Sequence, residues 1–146
     1  VALERETGQD VSKLPGGGAA GGMGAGAYAL LGAKLGQGID VILDMMRFEE
    51  LARGCKAIFT GEGRFDSQSL GGKVVVGIGR RARRAGIPVI VVAGRVAEDL
   101  PGLADVGISS VYQTAARPYR SRNEMLEKCR KDLFDTMIRA LDCEGL

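Results

Sequence analysis

Residues 86–94 read GIPVIVVAG. From Pro88 to Ala93 this run carries no polar side chain and no alternation, the pattern of a strand buried on both faces of a parallel sheet. Gly94 ends it. Upstream, Gly86 and Pro88 supply a helix stop, but the segment before them reads two ways. Val74, Val75 and Val76 favour strand, whereas Val74, Ile78, Ala82 and Ala85 keep helical spacing, and Arg80, Arg81, Arg83 and Arg84 suit a helix C-terminus. Earlier still, Cys55–Thr60 (CKAIFT) is an apolar run of strand length that stops at a polar loop, Gly61 to Ser69. Downstream, Leu100–Asp105 predicts a short helix with Pro101 in its first turn, and Ile108–Tyr112 a third strand. Ser121 and Glu124 form a capping-box pair ahead of an amphipathic helix through Leu141. Strands alternating with helices predict an α/β fold: a parallel, Rossmann-like sheet with helices on both faces. Three strands are few for a doubly wound sheet, so N-terminal strands from outside this sequence are expected.

The N-terminal third reads differently. Val1 to Ser12 is a charged arm or the end of a helix that began upstream. Gly16, Gly17, Gly18, Gly21, Gly22, Gly24 and Gly26 then lie within eleven positions, ahead of residues that favour helix up to Gly36. Gly18, Gly22 and Gly26 recur every fourth position, which predicts a bare helix face with something packed closely on it. From Asp40, a candidate N-cap, Val41 to Ala52 marks one amphipathic helix or two short ones, stopped by Gly54. The expected division is an arm, glycine turn and helix over 1–36, from a second lobe or hinge, and an α/β lobe over 37–146.

Composition excludes whole classes of chemistry. Among 146 residues there are 23 glycines and no histidine, so no histidine-based triad, HExxH zinc site or imidazole shuttle can be built from this chain. The net charge of +2 is too mild to announce nucleic acid. Cys55, Cys129 and Cys143 form no CxxC pair and read as thiols of a reducing compartment. Leu14 to Ala33 is uncharged but contains eight glycines, too weakly apolar for a bilayer span. No membrane partner is expected. The chain begins at Val1 without a leader and reads as a fragment.

Gly77, Gly79 and Ala82 spell GxGxxA after VVV, with Glu98 near the dinucleotide-fingerprint distance. The geometry fails, because only Arg80 to Ile87 would remain for a crossover that needs about 10–12 residues. Lys73 is followed by Val74, so no Walker A motif is present. What survives is the cluster Thr60, Gly61, Glu62, Gly63, Arg64, Asp66, Ser67, Gln68 and Ser69, with Lys73 at a helix start. It begins where a strand stops, the place where open α/β sheets bind ligands. Its glycines let backbone N–H groups approach an anion, and Arg64 and Lys73 can neutralise phosphoryl oxygens. Glu62 and Asp66 can hold magnesium, or Asp66 can take a proton from an attacking hydroxyl. The competing reading is an ordinary polar turn with a surface ion pair.

PGGGAAGGMGAG (Pro15–Gly26), QGIDVILD (Gln37–Asp44), AIFTGEGRFDSQSLGGK (Ala57–Lys73) and GIPVIVVAG (Gly86–Gly94) together resemble, in order, the bacterial glycerate kinase family. The resemblance covers most of Thr7 to Gly94. It implies ATP-dependent, magnesium-assisted phosphorylation of D-glycerate to 2-phosphoglycerate in the cytoplasm, with this chain corresponding to the C-terminal part. The family's motif falls on Thr60, Gly61, Glu62, Gly63, Arg64, Asp66, Gln68, Gly72 and Lys73; catalytic roles for Asp66, Lys73 and Arg64 and metal ligation by Asp66 and Glu62 are inferred from their chemistry. Substrate or nucleotide contacts fall to Gly16, Gly17, Gly18, Gly22, Thr60, Gly61, Glu62, Gly63, Ser67, Gln68 and Ser69. Ser69 stands where threonine is usual and Val75 where proline is usual. The alternative reading is an inactive binding or assembly module that forms a homo-oligomer or pairs with a missing segment.

Overall fold

A computed structural model describes residues 2–71 and 74–146. Two compact units divide it, Val1–Val41 and Ile42–Leu146.

In the first unit, α1 (Ala2–Thr7) ends on Gly8, whose N–H donates to the Glu4 carbonyl at 2.8 Å. The glycine block turns into α2 (Ala19–Leu31), where Ala20, Gly21 and Gly22 take φ of +50°, +69° and +99°. This left-handed start suits glycine. The close packing expected on the every-fourth-residue stripe is not there: a Cβ on Gly18, Gly22 or Gly26 would meet no described atom within 4 Å. It falls instead at Gly24, where a Cβ would lie 2.5 Å from the Gly16 carbonyl oxygen. The Ala25 N–H donates to Gly17 at 3.0 Å beside it, so the glycine turn folds back onto its own helix. α2 ends at Gly32 (φ +63°) and not at Gly36, because Gly32 and Ala33 donate back to Tyr28 and Ala27 and close the last turn.

α3 (Gly38–Met45) leads into the second unit, and α4 (Phe48–Leu51) follows after Arg47, a left-handed break at φ +55°. Two short helices therefore form, with Asp40 inside the first turn of α3. The sheet comprises β1 (Ile58–Phe65), β2 (Val89–Val96) and β3 (Ile108–Gln113), all parallel in the order β1-β2-β3. β1 and β2 both run past the glycines expected to end them. Gly61 pairs with Val92, and a Cβ on Gly61 would overlap the Val92 carbonyl oxygen. These glycines let one strand lie close against the next, a use that hydrophobic periodicity does not register. The polar loop consequently starts at Asp66, not Gly61.

The segment after it is helix, α5 (Val74–Arg84), which buries Val75, Val76, Gly77, Gly79 and Ala82. The GxGxxA pattern is thus a packing face. Val75 joins Phe65, Val91, Ala93 and Ile108 in the core. The final helix, α6 (Arg122–Glu144), brings Cys129, Leu133 and Met137 opposite Phe59, Val92 and Gly94. Val91 and Ala93 alternate with Val92 and Gly94 along β2, so α5 and α6 cover opposite faces. The α/β expectation holds. Arg81 ties α5 to the preceding helices through Asp44 at 2.6 Å and Glu49 at 2.9 Å. The short helix expected over 100–105 is a turn followed by a 3-10 turn at Ala104–Val106. Among the described residues no helix is long and apolar enough to cross a membrane.

The capping box at α6 forms as expected: the Glu124 N–H donates to the Ser121 hydroxyl at 3.1 Å. The Glu124 carboxylate accepts from the Arg120 N–H and pairs with Arg117 and Lys128 at 2.9 and 3.0 Å. The Arg120 bond first, then the two cations, hold its pKa down at about 2 against the usual 4.5. A depressed carboxyl contributes stability that is present above the ordinary value and lost as pH falls through the folded one. Acid titration between pH 4.5 and about 2 is therefore expected to loosen this helix start in the native chain and not in Glu124→Gln, as followed by amide exchange of residues 122–125. Ser121→Ala removes the cap itself and is expected to lower stability by about 1 kcal/mol, measured by urea unfolding.

Candidate active site

The predicted loop residues split between a strand and a turn. Thr60, Gly61, Glu62, Gly63 and Arg64 lie on β1, while Asp66 opens the turn. Asp66 is held on every side. Its Oδ2 faces Arg64 Nε at 3.1 Å, its Oδ1 accepts the Gln68 N–H at 3.0 Å, and its carbonyl accepts the Ser69 N–H at 2.9 Å. Ser69 is buried, and its hydroxyl donates to the Arg64 carbonyl while accepting the Asp66 N–H, both at 3.3 Å. The serine hydroxyl thus braces the turn. A threonine at this position would carry the same hydroxyl. Ser67 and Gln68 are exposed. The Arg64 side chain is 74% exposed against 26% for Asp66, so the arginine can leave its partner at small cost whereas the carboxylate is fixed by its turn.

Thr60 and Glu62 line a recess of about 470 Å³ between the sheet and α6. Glu62 Oε1 is buried there without a hydrogen-bond partner among the described residues. An unpaired buried oxygen costs about 1–3 kcal/mol, a cost that a bound cation or donor would remove. Magnesium is ordinarily held by one or two carboxylates plus water and phosphate oxygens. Glu62 supplies one such carboxylate in the recess, whereas Asp66 stands four residues further along the extended chain and does not line it; no group of three or more metal-ligating side chains occurs among the described residues. Lys73 lies outside the described residues. Gly16, Gly17, Gly18 and Gly22 belong to the first compact unit, where they form the turn and start of α2.

Sequence reading missed a second set. A cavity of about 770 Å³, sharing Gly94, Thr114 and Cys129 with the recess, is lined by Arg64, Arg95 and Arg122 together with Tyr119 and Met125. The Tyr119 hydroxyl donates to Asp132 at 2.8 Å, and burial followed by this bond raises its pKa to about 12, so the phenol stays neutral at physiological pH. Gln113 joins the strand ends, accepting the Val96 N–H at 2.8 Å and donating to the Ala115 carbonyl. The available signal was Arg95, a charge two residues past the apolar run Pro88–Ala93.

A protein-family model described as the glycerate kinase family matches residues 1–143. The chain belongs to the glycerate kinase family. It is 44% identical over 131 residues to the glycerate 2-kinase of Escherichia coli K12, covering 90% of this chain and 33% of that protein. With a glycerate kinase of Bacillus cereus the identity is 39% over 130 residues, 85% of this chain and 34% of the relative. A crystal structure of a candidate glycerate kinase 2 from Salmonella typhimurium LT2 superposes with a TM-score of 0.70 at 32% identity, covering 98% of this chain and 36% of that one. The chain therefore spans about a third of the length of the relatives it matches.

Proposed function

We propose that the protein carrying this chain phosphorylates D-glycerate at its 2-hydroxyl with ATP, in the cytoplasm. The observation that carries the reading is the Asp66 turn, which fixes a carboxylate and a loosely held arginine at the C-terminal end of β1. Asp66 Oδ1 is committed to the Gln68 N–H, and Oδ2 is the oxygen that Arg64 covers. When Arg64 turns to an incoming phosphoryl oxygen, Oδ2 is uncovered to orient the attacking hydroxyl and accept its proton. Lys73 is assigned to the same anion. Among the groups this chain itself supplies, which include no histidine, a carboxylate is the natural acceptor. Glu62 is proposed to hold magnesium, which would neutralise charge on the phosphate oxygens; ligation by Asp66 is the alternative to its role as proton acceptor. Glu62 Oε1 supports the first assignment because it is buried and lacks a partner among the described residues. Thr60, Gly61, Gly63, Ser67 and Gln68 line the approach, and the Gly16, Gly17, Gly18 and Gly22 turn is assigned a substrate or nucleotide contact.

The test is ADP release by the intact protein with D-glycerate and MgATP, with L-lactate as a control hydroxy acid. Turnover that needs glycerate supports the reading; none above the lactate background overturns it. A second reading has its own observation. Large apolar side chains stand open on α6, with Leu126 58% and Phe134 64% exposed, which favours an assembly role for the isolated chain. Light scattering separates the two, since a chain that stays monomeric over a wide concentration range excludes self-association.

A further inference from the structure

β1 and β2 set two arginines side by side. Arg64 and Arg95 are register partners on adjacent parallel strands, at the ends where both strands leave the sheet. Like charges directly opposite one another destabilise a sheet. Arg64 is offset by Asp66, but Arg95 has no carboxylate partner among the described residues. Glu98 shares a smaller recess with both arginines and bonds to neither. A third guanidinium, Arg122, enters from the first turn of α6 and is likewise unpaired among the described residues. Arg64, Arg95 and Arg122 all line the 770 Å³ cavity, and no aspartate or glutamate lines it with them. Among the described residues, Arg47, Arg81 and Arg117 elsewhere in this unit have carboxylate partners, whereas exposed Arg80, Arg84 and Arg130 have none, so it is convergence on one acid-free cavity that sets Arg95 and Arg122 apart.

Three cations converging on one cavity without an acid among its walls suit an anion of several charges. Guanidinium groups match phosphate oxygens in geometry as well as charge. The cavity falls within the usual range for a small-molecule site, about 300–1,000 Å³, and far exceeds what a three-carbon acid fills. Tyr119, Pro118 and Met125 supply an apolar wall beside the cations. We propose that this cavity binds the polyphosphate chain of a nucleoside triphosphate, with Arg95 and Arg122 as phosphate ligands. This deepens the kinase reading above, on which it rests for the identity of the nucleotide, and it places the phosphate donor on this chain, next to the Asp66 turn.

The experiment is calorimetric titration of the intact protein with inorganic tripolyphosphate and, separately, with ATP. Three variants are compared: Arg95→Gln, Arg122→Gln and Arg84→Gln. Arg84 ends α5, whose chain direction opposes the strands, so it removes one charge at the far edge of the sheet. Circular dichroism checks that each variant is folded. Arg95→Gln and Arg122→Gln are expected to weaken both ligands by about tenfold each, with Arg84→Gln unchanged and 2-phosphoglycerate failing to displace tripolyphosphate. Equal binding by all three variants, or no tripolyphosphate binding by the parent, overturns the site. Glycerate turnover is read separately. A protein that phosphorylates glycerate while both arginine variants bind ATP normally keeps its function and loses this site. One that binds tripolyphosphate through Arg95 and Arg122 without glycerate turnover keeps the site and loses the kinase reading.

Discussion

Asp66→Asn lowers kcat for glycerate phosphorylation by about 10²–10⁴-fold, the range expected when a general base is removed. The substitution keeps the shape of the turn. Asparagine retains an oxygen for the Gln68 N–H, and the Asp66 carbonyl and N–H still hold Ser69. What disappears is the proton-accepting oxygen and the charge that positions Arg64. The lost ion pair with a largely exposed arginine contributes at most about 1 kcal/mol to stability. A fall in kcat with a near-native unfolding curve and a KM for glycerate within a few-fold is therefore the expected signature in steady-state assays. Turnover close to the parent's would remove Asp66 from the mechanism and leave the Arg64–Asp66 pair as part of a surface turn.

The largest effect on stability is expected from Gly107→Val. Gly107 closes the 3-10 turn before β3 at φ +82°, a conformation that β-branched residues rarely adopt. A Cβ there would overlap the Gly79 carbonyl oxygen, and one on Gly79 would overlap the Val106 carbonyl oxygen. The backbones of α5 and the turn thus touch at two glycines, and neither side can retreat without moving α5 off the core formed by Val75, Phe65 and Val91. Backbone strain and overpacking together put the loss at about 3 kcal/mol or more, a large part of the stability of a small domain. Urea unfolding of Gly107→Val against Gly107→Ala measures it. A midpoint shift confined to a few tenths molar in both variants would mean that the turn relaxes freely and that the glycine contact is not a constraint.

The sheet was legible wherever burial left a pattern. Pro88–Ala93 reads as a central strand from its composition alone, and the structure places it between β1 and β3 with Val89, Ile90 and Val91 fully buried. Ser121 and Glu124 announced α6 because a capping box is local chemistry and needs no tertiary information. Where glycine decided the structure, sequence reading failed. Gly61, Gly63 and Gly94 read as loop residues, yet they lie inside paired strands, since a glycine tolerated by close strand packing looks the same as one needed for a turn. Gly18, Gly22 and Gly26 read as a packing stripe, yet the contact is between Gly24 and Gly16, which depends on the left-handed start of α2. The Val74–Ala85 ambiguity went to helix because α5 has to reach back along the sheet between β1 and β2.

The candidate site was half visible. Asp66, Arg64, Glu62 and Thr60 stand close in sequence, so a motif could gather them. Arg95 and Arg122 are 27 residues apart and come together only because β2 and α6 both open onto the same end of the sheet. Ser69 was grouped with the ligand-binding residues by position, and only the structure turns its hydroxyl inward to brace the turn. Val75 stands where the family resemblance suggests proline. It occupies the first turn of α5, where a backbone N–H has no helical partner, so either residue is accommodated.

Phosphorus NMR of the intact protein with D-glycerate and MgATP tests the central claim most directly, because it reports both the donor consumed and the hydroxyl modified. The account predicts equal amounts of ADP and 2-phosphoglycerate, with formation of both abolished or slowed by Asp66→Asn. Unchanged ATP, or phosphate appearing on the 3-hydroxyl, would contradict it.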